Sequence, residues 1–108
     1  MLKKDSILSF VIKQVLNLKI KEFGKMLKLN LDSQNKTIEI EVMLLGEKEP
    51  IKVNVGNYEI IKEGEKFYLI AKDITTSREW INIMAKNYLE NQKIEIPSKL
   101  AKTLKIIV

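Results

Sequence analysis

The chain has 108 residues, of which 45% are apolar and 31% are charged. This balance is typical of one folded globular domain rather than of a disordered chain. Lysine and arginine outnumber aspartate and glutamate by 19 to 14, a net charge of +5 that fits either a solvated surface or an anionic partner. With no cysteine and no histidine, the chain lacks disulfides, thiolate zinc sites, thiol nucleophiles and the commonest general base.

The first predicted element is an amphipathic helix, with Asp5 or Ser6 placed to cap its first turn. Its apolar arc is wide and recurs at helical spacing: Ile7, Leu8, Val11, Ile12, Val15, Leu16 and Leu18. The uncharged run over 6–12 is shorter than the roughly 20 residues that cross a bilayer, and no small-residue cleavage site follows it. We therefore expect no signal peptide and no transmembrane segment, and a protein that is cytoplasmic or peripheral to a membrane.

Four strands are predicted after this helix, and short turns join them into an antiparallel meander. The strand patterns cover 27–31, 36–45, 50–61 and 67–74, with turns at 32–36 and 62–66. Gly56-Asn57 interrupts the alternation of the third strand, and the fourth strand is apolar on both faces at its start, which predicts that it is the most buried. In the clearest strand the residues predicted to face the core are Ile38, Ile40, Val42 and Leu44. Met43 and Leu45 fall on the polar side of that strand, where alternation predicts charged residues.

A second helix is predicted after the strands, beginning at a capping box formed by Thr76 and Glu79. Its apolar residues share one face at helical spacing: Trp80, Ile81, Met84, Ala85, Tyr88 and Leu89. Beyond it the pattern predicts a short extended piece at Ile94 and Ile96, a helical turn from Pro97-Ser98, and a final strand at about Leu104 to Val108. The whole order predicts a single α+β domain over 1–108: a helix, a four-stranded antiparallel meander, a second helix and a short C-terminal strand.

A search for catalytic groups predicts no enzyme, no cofactor and no metal site. Glu39 and Glu41 lie on a solvated strand face and do not converge in a cleft, as acid–base catalysis requires. Ser98 and Lys102 occupy the positions of a helix cap and a surface lysine, which explains both without catalysis. The four glycines are scattered singly, so no phosphate-binding loop is present.

A local basic cluster supports the alternative function of binding a nucleic acid or another anionic surface. The cluster consists of Lys19, Lys21, Lys25 and Lys28, and phosphate binding requires only such charges. Phe23 is the one aromatic residue close to the cluster, and Arg78 is the only arginine in the chain. Nucleic acid is therefore the less favoured partner, because base recognition relies on stacking aromatics and on arginine.

The leading hypothesis is a non-enzymatic module that binds a lipid-like ligand or an apolar protein surface. Two apolar helix faces and an apolar sheet face provide more apolar surface than a small core buries. This excess predicts a groove between helix and sheet. The predicted lining residues are Val11, Val15, Leu18, Ile40, Val42, Val53, Val55, Leu69, Trp80, Met84 and Tyr88. A further hypothesis is a homodimer in contact through Met43 and Leu45.

The element order over 38–108 resembles small bacterial domains of the tubular lipid-binding (TULIP) superfamily. The resemblance lies in "IKVNVGNYEII" and "GEKFYLIAKDI", which form a hairpin, and in the segment "IEIPSKLAKTLKIIV" after the second helix. It implies a strongly curved sheet wrapped on a long helix, a lipid-accommodating groove and a membrane-proximal role. Because the match is one of pattern, it assigns no binding residue.

Overall fold

The computed structural model describes the backbone of residues 3–107 and the side chains of residues 5–102. Within this range three helices and seven strands are arranged as an α+β fold, which confirms the predicted class. In chain order they are α1 (Lys3–Ile20), β1 (Gly24–Asp32), β2 (Thr37–Leu44), β3 (Ile51–Gly56), β4 (Glu59–Glu63), β5 (Lys66–Ile70), β6 (Asp73–Thr76), α2 (Glu79–Tyr88), β7 (Lys93–Ile96) and α3 (Ser98–Ile107). None of the helices in this range has both the length and the apolarity to cross a bilayer.

The strands form two antiparallel sheets, one ordered β1-β2-β3-β6 and the other β4-β5-β7. A single long hairpin joins them, since β3 continues into β4 and β5 continues into β6. Gly56 pairs with Asp73 and Glu59 pairs with Ile70, so the register is the same on both sides of the break. Each arm of the hairpin therefore crosses from one sheet into the other, and the predicted third and fourth strands each divide in two.

The break in the hairpin is centred on Asn57 and Tyr58. Asn57 has a left-handed φ of 54°, which an extended strand does not allow. Tyr58 turns into the core, its N–H donates to the Lys36 carbonyl at 3.1 Å, and the Lys36 ammonium lies 5.6 Å from the ring centroid. Burial, with the negative charges of Asp5 and Asp32 nearby, raises the pKa of Tyr58 to about 12.

Helix α1 forms the centre of the core. Its buried residues Val11, Ile12 and Val15 pack with side chains from both sheets and with Ala101 of α3. A second cluster combines Met26, Val42, Ile51 and Ile81. The two clusters share partly buried neighbours, namely Leu16, Leu29, Ile40 and Val53, so they form one continuous core.

The start of α1 differs from the predicted capping arrangement. Asp5 lies inside the helix and is buried, and its carboxylate accepts hydrogen bonds from both the N–H and the hydroxyl of Ser33. The side chain therefore ties the first turn of α1 to the turn after β1. A carboxylate in the first turn also interacts favourably with the helix dipole.

The end of the chain is helical where a strand was predicted. The extended piece at Ile94 and Ile96 is β7, as expected, but the segment after Pro97 continues as α3 through Ile107. The predicted strand over Leu104 to Val108 is wrong as far as Ile107, and Val108 lies outside the described residues. The spacing of apolar residues from Ser98 onward suits one helix face, and this periodicity outweighs the β propensity of the terminal isoleucines.

We predict that replacing a buried isoleucine destabilises the protein far more than replacing an exposed one. Ile12 is 0% exposed and Ile83 is 58% exposed. Ile12→Ala should lower the free energy of unfolding by about 2 to 5 kcal/mol, because it opens a cavity in the core. Ile83→Ala should change it by less than about 0.5 kcal/mol. Urea denaturation measures both, and equal losses for the two variants would contradict this packing.

Candidate functional site

The eleven predicted lining residues do not come together in one groove. Five of them are buried inside the core: Val11, Val15, Val42, Val55 and Leu69. Ile40 and Val53 are half-buried between the two core clusters. Leu18, Trp80, Met84 and Tyr88 are exposed. The exposed members of the set, rather than the buried ones, are therefore available to a partner.

Helix α2 exposes most of these apolar side chains because its apolar arc is wide and only part of it is buried. Ile81 and Ala85 are buried against the core. The exposed apolar residues of the helix, which we call the outer face of α2, are Trp80, Ile83, Met84 and Tyr88. Trp80, Met84 and Tyr88 are four residues apart and form one row beside Ile81 and Ala85, and Ile83 is three residues from Trp80 on the side away from them. The sequence prediction placed Trp80, Met84 and Tyr88 on one face with Ile81 and Ala85, and it omitted Ile83, which is 58% exposed.

Side chains from α2 and the segment after it hold the helix at the edge of the first sheet. The Thr76 N–H donates to the Asn82 side-chain oxygen at 2.6 Å, and the Asn82 amide donates back to the Thr76 carbonyl at 3.3 Å. The Ile74 N–H donates to the Glu90 carboxylate at 2.9 Å. These side chains form the hydrogen bonds that a neighbouring strand would otherwise form with β6. Backbone groups of Ile74 and Thr76 on the edge of β6 are therefore hydrogen-bonded by Asn82 and Glu90. This attachment sets the rotation of α2 and turns its outer face away from the core.

The predicted capping box at the start of α2 is wrong. Arg78 is the N-cap residue and makes no side-chain capping hydrogen bond. Thr76 belongs to β6, and its hydroxyl accepts from the Arg78 N–H at 3.0 Å and donates to the Arg78 carbonyl at 2.8 Å. Thr76 and Glu79 are thus separated by a change of element, which spacing along the sequence does not reveal.

Phe23 and Leu45 form a second exposed apolar group at the end of the β1–β2 ladder. The Leu45 N–H donates to the Phe23 carbonyl at 2.7 Å, which extends the pairing of the two strands. Gly24 makes this approach possible, because a Cβ at that position would collide with the Met43 carbonyl oxygen. Met43 itself is half-buried and lies opposite Lys25.

Phe23, Leu45 and Trp80 meet around one shallow depression. They line a space of about 350 Å³ together with Leu44, Gly46 and Glu47. Their exposed fractions are 63%, 77% and 55% respectively. The Arg78 guanidinium lies 3.1 Å from the Glu47 carboxylate and links the loop after β2 to the start of α2. We call Phe23, Leu45 and Trp80 the aromatic patch, and through Trp80 it is continuous with the outer face of α2.

The basic cluster borders the aromatic patch. Lys19, Lys21, Lys25 and Lys28 are all exposed, and none of them forms a salt bridge within the part of the chain that the structure describes. Lys21 and Lys25 stand two residues on either side of Phe23. A β-bulge between Met26 and Lys28 also leaves Leu27 exposed at the same corner, contrary to its predicted inward orientation.

The polar face of the first sheet carries charges of both signs in cross-strand rows. Glu41 lies opposite both Lys28 and Lys52, and Glu39 lies opposite Asn30 and Asn54. These side chains line a second open depression of about 330 Å³. Among the described side chains, no group of three or more acidic residues is placed to hold a metal ion. Opposite charges on neighbouring strands stabilise the sheet and account for this face.

Comparisons of the chain with protein-family models, with curated proteins and with solved structures find no match. The resemblance to the TULIP superfamily therefore stays a prediction.

We predict that Asn82→Ala loosens α2 from the sheet. The substitution leaves the N–H and carbonyl of Thr76 without their partner, which should lower the free energy of unfolding by about 1 to 2 kcal/mol. Hydrogen exchange of the Thr76 amide should become faster. Asn87→Ala, at an exposed position of the same helix, is the matched control and should change neither quantity. An unchanged Thr76 exchange rate in Asn82→Ala would contradict the proposed anchoring.

Proposed function

We propose that this chain is a non-enzymatic binding module that engages a hydrophobic partner through the aromatic patch and the outer face of α2. The observation that carries the proposal is the exposure of Phe23, Leu45 and Trp80 around one depression. Isolated exposed apolar residues are ordinary on protein surfaces, whereas a contiguous group bordered by charges is typical of an interaction site. A tryptophan and a phenylalanine also provide the large apolar contact area that dominates many interfaces.

The distribution of buried residues favours an external site over an internal cavity. Val11, Val15 and Leu69 pack against one another and against neighbouring core residues. An acyl chain among them would have to displace packed side chains, at a cost in core contacts. Binding at the aromatic patch needs no such rearrangement. The lipid-like or apolar partner inferred from the sequence is therefore assigned to the outside of the molecule.

We predict that the patch accounts for binding of a neutral hydrophobic dye such as Nile red. Phe23→Ser combined with Leu45→Ser should reduce the dye fluorescence severalfold, because the substitutions remove apolar surface from the patch. Phe10→Ser is the matched control, since Phe10 is 58% exposed on α1 and lies outside the patch. The proposal would be contradicted by equal fluorescence from the patch variant and the wild-type chain when both are equally folded.

The exposed basic cluster supports a second candidate function, the binding of a nucleic acid or another anionic surface. The supporting observation is that four neighbouring lysines point into solvent without an ion-pair partner among the described residues. Phosphate oxygens would pair with such lysines irrespective of sequence.

We predict that any oligonucleotide binding depends steeply on salt and on this cluster. Lys25→Gln combined with Lys28→Gln should make the plot of log affinity against log salt shallower. The magnitude of its negative slope should fall by about 2, one unit for each lost phosphate contact. Lys62→Gln, in β4 of the other sheet, should leave the slope unchanged. Fluorescence anisotropy with a labelled oligonucleotide measures the slope, and no binding even at low salt would reject this candidate.

A further inference from the structure

We propose that the docking partner is the surface of an anionic lipid bilayer, into which the aromatic patch inserts while the basic cluster contacts lipid phosphates. This inference rests on the proposed function and gives its partner a chemical class. It combines the exposed apolar residues and the basic cluster, from which the sequence suggested two alternative functions. In the structure these two features are neighbours, because Phe23 belongs to the same turn and strand start as Lys21 and Lys25.

The first argument is the way the patch projects from the surface. Phe23 lies in the turn after α1, Leu45 follows β2, and Trp80 is in the first turn of α2. All three side chains are more than half exposed and surround a shallow depression. A folded partner would need a matching surface for such projecting side chains, whereas the headgroup region of a bilayer is deformable and admits them. Tryptophan in particular is enriched at that depth.

The second argument is the orientation of α2. Its outer face presents Trp80, Met84 and Tyr88 in one row with Ile83 beside it, while Ile81 and Ala85 attach the helix to the protein. From Trp80 to Tyr88 this row is about 12 Å long at the rise of an α-helix. An apolar row on a short helix with a charged surround is the arrangement of an interfacial helix that lies in the plane of the membrane. Trp80 and Tyr88, at its two ends, are residues that favour the interface.

The third argument is charge complementarity. The segments that carry Phe23 and Leu45 also carry five lysines, Lys19, Lys21, Lys25, Lys28 and Lys48, of which Lys28 lies opposite Glu41. The acidic residues of the same corner are fewer, namely Glu22, Glu49 and Glu79, and Glu47 is paired with Arg78 at 3.1 Å. The excess of positive charge would draw the corner toward anionic headgroups, and the apolar side chains would then hold it there.

Trp80 is the only tryptophan of the chain, so its fluorescence reports directly on the patch. We would titrate the intact chain with vesicles of phosphatidylcholine alone and with vesicles that also contain phosphatidylglycerol. The expected result is a blue shift of Trp80 emission and protection from iodide quenching with the anionic vesicles, and a much smaller change with phosphatidylcholine. Raising the salt concentration should weaken binding, because it screens the lysine contacts.

Paired variants separate the apolar and basic contributions while keeping the reporter. Phe23→Ser with Leu45→Ser should weaken vesicle binding by at least about tenfold, because apolar area is lost from the inserted surface. Lys21→Gln with Lys25→Gln should also weaken vesicle binding, by roughly fivefold for each lysine replaced. The matched controls are Phe10→Ser, and Lys62→Gln with Lys66→Gln at the tip of the β4–β5 hairpin. Both controls should bind vesicles as the wild-type chain does, and thermal unfolding by circular dichroism checks that every variant is folded.

The outcomes distinguish this inference from the proposed function on which it rests. Dodecyl maltoside micelles serve as an apolar probe without charge. A blue shift with micelles but none with anionic vesicles would overturn the bilayer inference and leave an apolar protein surface as the partner. Equal shifts with neutral and anionic vesicles would overturn the role of the lysines, and with it the inference as stated. No response to micelles or to vesicles would overturn both proposals.

Discussion

The packing of α1 against both sheets is the constraint on which the rest of the structure depends. Val11, Ile12 and Val15 fill the space between the two halves of the long hairpin, and Asp5 fastens the first turn of the helix to Ser33. The hairpin passes from one sheet to the other where Asn57 leaves the extended conformation, and side chains of both sheets join those of the helix in one cluster. Helix α1 thereby covers much of the apolar surface of both sheets, and Ile81 of α2 and Ala101 of α3 complete the core.

The position of α2 follows from this arrangement. With α1 already packed on the sheets, α2 attaches at the edge of β6, through Asn82 and Glu90, and buries only Ile81 and Ala85. Such an attachment covers one side of the helix and leaves the other in contact with water. Several of the apolar residues that the core does not use, namely Phe23, Leu45 and Trp80, therefore lie around one depression, close to the basic cluster. The proposed binding surface therefore consists of apolar residues that the core does not include.

The periodicity of apolar residues correctly predicted elements such as α1 and β2, and hence the fold class. In these elements the tertiary contacts agree with the local sequence pattern. Periodicity failed where a tertiary contact or a single dihedral decides: the bulge that exposes Leu27, the left-handed Asn57 that divides two strands, and the helical continuation after Ser98. The candidate site was predictable only in composition. The sequence predicted Trp80 and Met84 as lining residues, but that they are exposed while Ile81 is buried depends on how α2 attaches to β6, which one sequence pattern does not encode.

Collisional quenching of Trp80 fluorescence in the free, dilute protein tests most directly whether the surplus apolar surface lies outside the core. The structure leaves this side chain 55% exposed at the centre of the candidate surface. We predict that acrylamide and iodide quench it with a large fraction of the efficiency measured for a free tryptophan amide. Emission that is blue-shifted and resistant to both quenchers would place Trp80 in the interior, and would contradict the arrangement of α2 from which the proposed function follows.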